Sequence, residues 1–171
     1  MGDPGLGPQD PGLYGILRPS EAEGLAVQLL QGSLRRGENG ARSGGSEAGG
    51  VSDSVGIDLV PSPPLVVRGD FHHQPFDDGT FDFEFSNVFD HALYPEKFVG
   101  EIERTLRAGG VCVIHVAVST RSDKYSANDL MSVEPLKKLF KRSELVYVRT
   151  VDGFGLDTEV LFRKKRVTRA P

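Results

Sequence analysis

The run Val111 to Val118, V-C-V-I-H-V-A-V, constrains this chain more than any other stretch. Only His115 interrupts it. A strand this apolar is buried on both faces, so it needs partners along its edges and layers above and below. What precedes it fits. Tyr94-Pro95-Glu96 opens a helix, with proline pre-set for the first turn. Phe98, Val99, Ile102 and Leu106 share one helical face. Glu96 and Glu101 come before Arg104 and Arg107, the order that a helix dipole favours. Gly109-Gly110 supplies a left-handed stop, so the helix is predicted to run up to that pair. A helix feeding a doubly buried strand belongs to a layered α/β sheet.

The upstream segments supply more of that sheet. Val55 to Val60 reads as a short strand with Asp58 near its C-terminal end, stopped by Pro61, Pro63 and Pro64. Leu65 to Arg68 is a second short strand, ended by Gly69-Asp70. The 71–80 loop holds Pro75 and the turn signal Asp78-Gly79. Phe81, Phe83 and Phe85 alternate with Asp82 and Glu84, which predicts a strand over 81–86 with one strongly apolar face. Downstream, 119–131 is polar and loop-like. Val133 to Lys141 reads as a short amphipathic helix with Leu136, Leu139 and Phe140 inward. Strands over 144–151 and 158–162 form an antiparallel pair through Asp152-Gly153-Phe154-Gly155. In open α/β sheets ligands sit outside the C-terminal ends of the strands. Asp58, Asp70 and Ser86-Asn87 all fall at such ends, which points to a ligand site.

The N-terminal third is different. The chain has 171 residues with 38% hydrophobic composition, enough for one domain but on the low side for a fully folded chain. Residues 1–19 are rich in glycine and proline and read as a loose arm. Ser20-Glu21-Ala22-Glu23 is a capping box, and Leu25, Val27, Leu29, Leu30 and Leu34 give an apolar side to a helix over about 21–35. Residues 36–50 read R-G-E-N-G-A-R-S-G-G-S-E-A-G-G. A flexible linker is one reading. A glycine loop for a phosphate or cofactor is the other, and it needs a strand before and a helix after; neither is visible.

Several function classes are disfavoured. A net charge of −4 does not suit a general nucleic-acid binder, although Arg163-Lys164-Lys165-Arg166 makes a short basic tail. The single cysteine, Cys112, excludes an internal disulfide and a cysteine-based zinc site; within its apolar run it reads as buried and inert. His72-His73 lacks acids at ligand spacing. No run reaches the ~20 apolar residues of a membrane helix. The first residues carry neither a secretory pattern nor a complete myristoylation signal. A cytoplasmic location is expected, with the basic tail leaving a nuclear one open.

Four pieces, G-I-D-L-V, G-D-F-H-H-Q-P-F-D-D-G-T-F-D, F-S-N-V-F-D-H-A-L-Y-P-E-K and E-I-E-R-T-L-R-A-G-G-V, occur at a spacing that resembles class I S-adenosylmethionine-dependent methyltransferases of the type 11 group. The resemblance runs from about Val55 to Val118, with weaker support to Lys164. It implies an α/β, Rossmann-like methyltransferase sheet over 55–164, with a flexible region before it and a basic tail at 165–171. It implies S-adenosylmethionine as cofactor. By position, Asp58, with Leu59 beside it, accepts from the ribose hydroxyls. Asp70 accepts from the adenine amino group, with Phe71 against the ring. Ser86 and Asn87 lie under the methionine part, and Asp90 and His91 face the substrate side. The acceptor is not written in the sequence.

One feature of that family is missing. Its first motif is an apolar strand running into a glycine loop that grips the methionine end, and it belongs before Asp58, within roughly 36–54. Gly40-Ala41-Arg42-Ser43-Gly44-Gly45 resembles a degenerate loop, but no strand leads into it. The sheet is therefore expected to be incomplete, as in a shortened form of a longer methyltransferase. This leaves two readings, a methyltransferase and a catalytically inactive binding or regulatory module. A nicotinamide oxidoreductase is disfavoured because no G-x-G-x-x-G follows a strand.

Overall fold

A computed structural model describes residues 55–64, 66–119, 126–153 and 155–166. The expected arm, the 20–35 helix, the glycine-rich segment and the end of the basic tail lie outside the described residues. In chain order the elements are β1 (Gly56–Asp58), β2 (Val66–Arg68), β3 (Phe81–Ser86), a 3-10 turn (Phe89–His91), α1 (Pro95–Thr105), β4 (Leu106–Val116), α2 (Glu134–Leu139), β5 (Ser143–Gly153) and β6 (Leu156–Lys164). The architecture is mixed α/β, as expected.

The single layered sheet of the sequence reading is divided in two. β1 and β2 pair in parallel as one small sheet, with Ile57 opposite Val67. The larger sheet has the order β3-β4-β6-β5. Its β3–β4 pair is parallel and the other two are antiparallel. Among the described residues no ladder joins the two sheets. β4 is interior, as its apolar run demands, and the β5–β6 pair is the antiparallel hairpin that the turn residues predict.

Two local expectations are corrected. The helix does not run to Gly109-Gly110. α1 ends at Thr105, and Leu106 is already extended, with φ −66° and ψ 139°. The chain pairs with β3 from Leu106, so Gly109, at φ +85°, shapes an irregularity inside β4 rather than a helix stop. The second correction concerns the three phenylalanines. A register shift between Phe81 and Phe83 breaks the alternation. Phe81 joins the helix-side core, while Phe83 packs with Val113 and Leu161 on the opposite face.

The main core lies between the larger sheet and the two helices. Phe98, Val99 and Ile102 of α1, and Leu136 of α2, pack with Cys112, Ile114, Val116, Val160 and Phe162. Phe140 stacks on Phe162 with centroids 3.8 Å apart. Burying each such side chain stabilises the fold by roughly 1.5–3 kcal/mol. α2 is shorter than the expected 133–141 helix, but Leu136 and Phe140 are buried and Leu139 partly so.

Polar clamps fix the elements further. Arg104 donates to Glu101, to Asp78 and to the carbonyls of Gln74 and Phe76, fastening the loop after β2 onto α1. Glu103, buried, accepts from the Arg142 amide (2.7 Å) and the Ser143 hydroxyl (2.8 Å), which fixes where β5 starts.

Gly110 sits where three chain segments converge. A Cβ there would lie 3.0 Å from the carbonyl oxygen of Arg107, 3.1 Å from that of Asp82 and 3.2 Å from that of Phe81. These are backbone atoms and cannot swing aside. Gly110→Ala is expected to destabilise the fold by about 1–3 kcal/mol, read as a lower midpoint in urea unfolding with an unchanged slope. Gly100→Ala, where a Cβ meets nothing within 4 Å, serves as the control and should stabilise by up to about 1 kcal/mol.

Candidate cofactor site

Asp58 and Asp70 lie at the C-terminal ends of the paired strands β1 and β2. Asp58 closes β1. Its Oδ1 accepts from the Val60 amide at 2.7 Å, and its carbonyl accepts from the Gly69 amide at 2.9 Å. The second bond places Gly69-Asp70 next to Asp58. Gly69 is tightly enclosed: a Cβ there would meet the Pro75 ring at 3.0 Å. Asp58 Oδ2 has no partner among the described residues, so this carboxylate keeps one free acceptor. Leu59 beside it is 68% exposed.

Asp70 is held more elaborately. Its Oδ1 accepts from the His72 amide at 2.8 Å and from His72 Nδ1 at 2.9 Å. His72 Nε2 in turn accepts from the Tyr94 amide at 3.2 Å. This sequence of bonds assigns the proton of a neutral His72 to Nδ1. It also ties the loop after β2 to the first residue before α1. Burial pushes the Asp70 carboxyl up, but the His72 amide, the His72 ring and the nearby His73 outweigh it and hold the pKa below the ordinary value. Asp70 is thus a carboxylate at neutral pH, with Oδ2 free among the described residues. Phe71 is half-buried and leans edge-on against Phe98, with centroids 5.5 Å apart.

Ser86 and Asn87 end β3, on the other sheet. Ser86 is fully buried, and its Oγ accepts a long bond of 3.4 Å from the Val88 amide. Asn87 differs: its Oδ1 is buried and has no hydrogen-bond partner among the described residues. A buried amide oxygen without a donor costs about 1–3 kcal/mol, so it is poised for a donor from a ligand. Asp90, 3% exposed, uses its carbonyl to accept from the Ala127 amide (2.7 Å) and the Asn128 amide (3.0 Å). The Asn128 side chain donates to the carbonyls of Phe89 and Ala92. The 126–128 segment is therefore fastened across the turn that follows β3. His91 is half-buried within that turn.

The structure thus makes Asp58 and Asp70 neighbours. The loop between β2 and β3 links them to the larger sheet, since the Gln74 amide donates to Glu101 of α1 and its side chain to Glu84 of β3. Asp58, Asp70 and Asn87 share no direct bond. Their donor chemistry suits S-adenosylmethionine: two carboxylates with free oxygens for hydroxyl and amino donors, and an orphaned amide oxygen for an ammonium. His72 is already engaged with Asp70 and Tyr94. Among the described residues no group of three or more His, Cys, Asp or Glu residues forms a metal site, and no helix is long and apolar enough to cross a membrane.

The comparisons agree with this setting. Residues 49–114 match the sequence profile of a family described as "Methyltransferase domain", type 11. Sterol 24-C-methyltransferase of Schizosaccharomyces pombe is 41% identical over 65 residues, covering 37% of this chain and 17% of the relative. Sterol methyltransferase-like 2 of Botryococcus braunii is 35% identical over 85 residues, covering 49% of this chain and 21% of the relative. The matches therefore span about one fifth of the length of these relatives. A solved S-adenosylmethionine-dependent methyltransferase from Methanosarcina mazei aligns over 65% of this chain and 81% of its own, with a TM-score of 0.49 and 14% identity. The matched segment, which runs through β1 to β4, is thus similar to the methyltransferase domain of the type 11 group.

Sequence reasoning missed the buried acids. Glu84 looked like the solvent side of an alternating strand, yet it is 1% exposed beneath α1. It lies against Thr105 Oγ1 and Gln74 Nε2. Burial raises its pKa to about 8, against the opposing pull of Thr105 and Gln74. The Thr105 hydroxyl donates to Glu84 Oε1 and also lies 2.8 Å from the Glu101 carbonyl. Glu159, also 1% exposed, meets His115 at 2.8 Å and the Tyr147 hydroxyl at 2.7 Å, and pairs with Arg149. Burial pushes Glu159 up, but these partners outweigh it and hold its pKa below the ordinary value. His115, the one break in the apolar run, was the visible sign of this cluster.

Glu84 makes stability pH-dependent in a defined direction. Its folded pKa, about 8, lies above its ordinary 4.5, so folding favours the neutral form. That contribution is complete below about pH 4.5 and is lost as pH rises through 8. Glu84→Gln keeps the shape and cannot ionise. Urea unfolding should show the variant gaining on the parent chain by up to about 4 kcal/mol between pH 5 and pH 8.5. An unchanged difference across that range would mean that Glu84 is ionised in the fold.

Proposed function

We propose that this chain binds S-adenosylmethionine along the C-terminal strand ends and transfers its methyl group to an acceptor. The observation that carries this is that Asp58 and Asp70 both stand at the C-terminal end of the parallel β1–β2 pair, each with one carboxylate oxygen outside the bonds that fix it. Asp58 takes the ribose hydroxyls, because a carboxylate accepts from two hydroxyl donors at once. Asp70, held ionised by His72, takes the adenine amino group, with Phe71 against the ring and Leu59 beside the ribose. Asn87 Oδ1 accepts from the methionine ammonium, and Ser86 supports the turn beneath it.

When bound, the cofactor supplies an activated methyl on a sulfonium. The methyl carbon bonds to the nucleophilic atom of the acceptor as its bond to sulfur breaks. The electron pair stays on sulfur, leaving S-adenosylhomocysteine, and the acceptor loses a proton. The protein's part is alignment and exclusion of water. A general base is needed only for an acceptor that is protonated at neutral pH, and Asp90 and His91 stand nearest to that role. The Asn128 clamp shapes the acceptor side. Sterol acceptors, suggested by the names of the two relatives, are one class to try.

A second reading is a module that binds cofactor or partner without methyl transfer. The sequence favours it, since no apolar strand leads into Gly40–Gly45. Calorimetric titration with S-adenosylhomocysteine separates the readings when followed by a methyl-transfer assay. Binding at micromolar to millimolar affinity is expected, and Asp58→Ala should weaken it about 10- to 100-fold, the worth of 1.5–3 kcal/mol for bonds to a charged group. No heat from a folded chain sinks cofactor binding altogether. Binding without turnover on any acceptor selects the second reading.

A further inference from the structure

His72 is bonded at both ring nitrogens, and the two bonds lead in different directions. Its side chain is only 12% exposed, whereas the Asp70 carboxylate beside it is 54% exposed and open to a ligand. Nδ1 meets Asp70 Oδ1 at 2.9 Å. Nε2 accepts from the Tyr94 amide at 3.2 Å. The ring also lies between two aromatic neighbours, Phe71 with centroids 4.4 Å apart and Tyr94 with centroids 5.5 Å apart. An imidazole held at both nitrogens cannot turn without losing one of its bonds.

The far end leads to the residues placed on the acceptor side. The Tyr94 carbonyl accepts from the Lys97 and Phe98 amides and so opens α1. Two residues earlier, the Ala92 carbonyl accepts from the Asn128 side chain, which also donates to the Phe89 carbonyl. Between Phe89 and Ala92 stand Asp90 and His91, and the Asp90 carbonyl holds the amides of Ala127 and Asn128. Bonded groups therefore run from Asp70 through His72 to Tyr94 and, two residues back along the chain, to the 126–128 segment.

We propose that His72 is a positioning residue that couples these two ends: a ligand amine held by Asp70 orders the turn before α1, and the 126–128 segment with it, through the imidazole. This rests on the reading that Asp70 takes the adenine amino group of the cofactor. A donor on Oδ2 stops the half-exposed carboxylate from turning, and Oδ1 then holds the ring against the Tyr94 amide. Coupling is reciprocal, so an ordered turn also favours the adenine. The ring is the two-state element that both ends bias. A second proton goes to Nε2, which then faces the Tyr94 N–H as donor against donor and loses that bond. The Asp70 bond remains, now as an ion pair. The ionisable groups beside the ring are Asp70 and, acting on the same carboxylate, His73 from its own loop. On the side of α1 they are Tyr94 and Lys97, whose ammonium lies 4.7 Å from the centre of the Tyr94 ring.

NMR of the intact chain with S-adenosylhomocysteine tests this. With the ring neutral, the nitrogen shifts of His72 should show a proton on Nδ1 and none on Nε2. At equal pH, saturating ligand should slow amide exchange at Tyr94, Ala127 and Asn128 by about 5-fold or more, the small end of a typical coupling. Exchange in β5 and β6 should not change. His72→Asn keeps a donor for Asp70 but is too short to reach Tyr94, so the slowing should vanish in the ligand-bound variant. Should that variant unfold, the same loss should appear in the parent chain as the pH is lowered through the midpoint read from the His72 ring itself. Ligand that binds without slowing these amides overturns the coupling and leaves the cofactor reading standing. A folded chain that gives no heat with the ligand overturns both. Slowing that survives His72→Asn or the protonated ring overturns the coupling as well, and so does a neutral ring with its proton on Nε2.

Discussion

The larger sheet is arranged by the double pairing of β4. β3 lies on one side of it in parallel, and β6 lies on the other, antiparallel. Its side chains point alternately into the helix-side core and into the opposite cluster. An interior strand without polar alternation tolerates neither an open edge nor a bare face. The approach to it is correspondingly tight. At Gly110 the β4 backbone comes so near the carbonyls of Phe81 and Asp82 that a methyl group has no room. The same crowding explains why α1 stops at Thr105: the chain has to become extended in time to pair with β3.

Around that strand, buried glutamates tie the elements together. Glu84 joins β3 to the end of α1 through Thr105, and Glu103 joins α1 to the start of β5. Glu159 joins β6 to β4 and β5 through His115 and Tyr147. All three are at most 3% exposed, yet they reach burial by different electrostatic routes. Glu159 is pushed up by burial but held below its ordinary value by the hydrogen bonds of the His115 ring and the Tyr147 hydroxyl and by the charge of Arg149. Glu84 is pushed towards neutrality, since its nearest partners, Thr105 and Gln74, are uncharged. A buried carboxylate needs compensating charge or gives up its own.

Much of this was legible in the residues, because the decisive signals are local. Pro95 at the first turn, the apolar side of α1, the run after Gly110 and the hairpin around Asp152-Gly153 each depend on neighbours a few positions away. What escaped were consequences of pairing over long separations. The register shift that sends Phe81 and Phe83 to opposite faces arises from the partner strand, not from the alternating sequence. Glu84 obeys the polar half of a period-two pattern and still sits in the core, because α1 covers that face. For the site, position at strand ends was legible. The His72 bridge between Asp70 and Tyr94 was not, since His72 and Tyr94 are 22 residues apart.

The two halves of the site rest on different physical support. Asp58 and Asp70 are neighbours because Gly69 donates to the Asp58 carbonyl, and only a compact residue fits between Ile57 and Pro75. His72 then fixes both the charge and the direction of Asp70. The surroundings of these two carboxylates are built from short-range contacts. Asn87 is different: it presents a buried acceptor with no donor among the described residues, on a sheet that no described strand joins to Asp58.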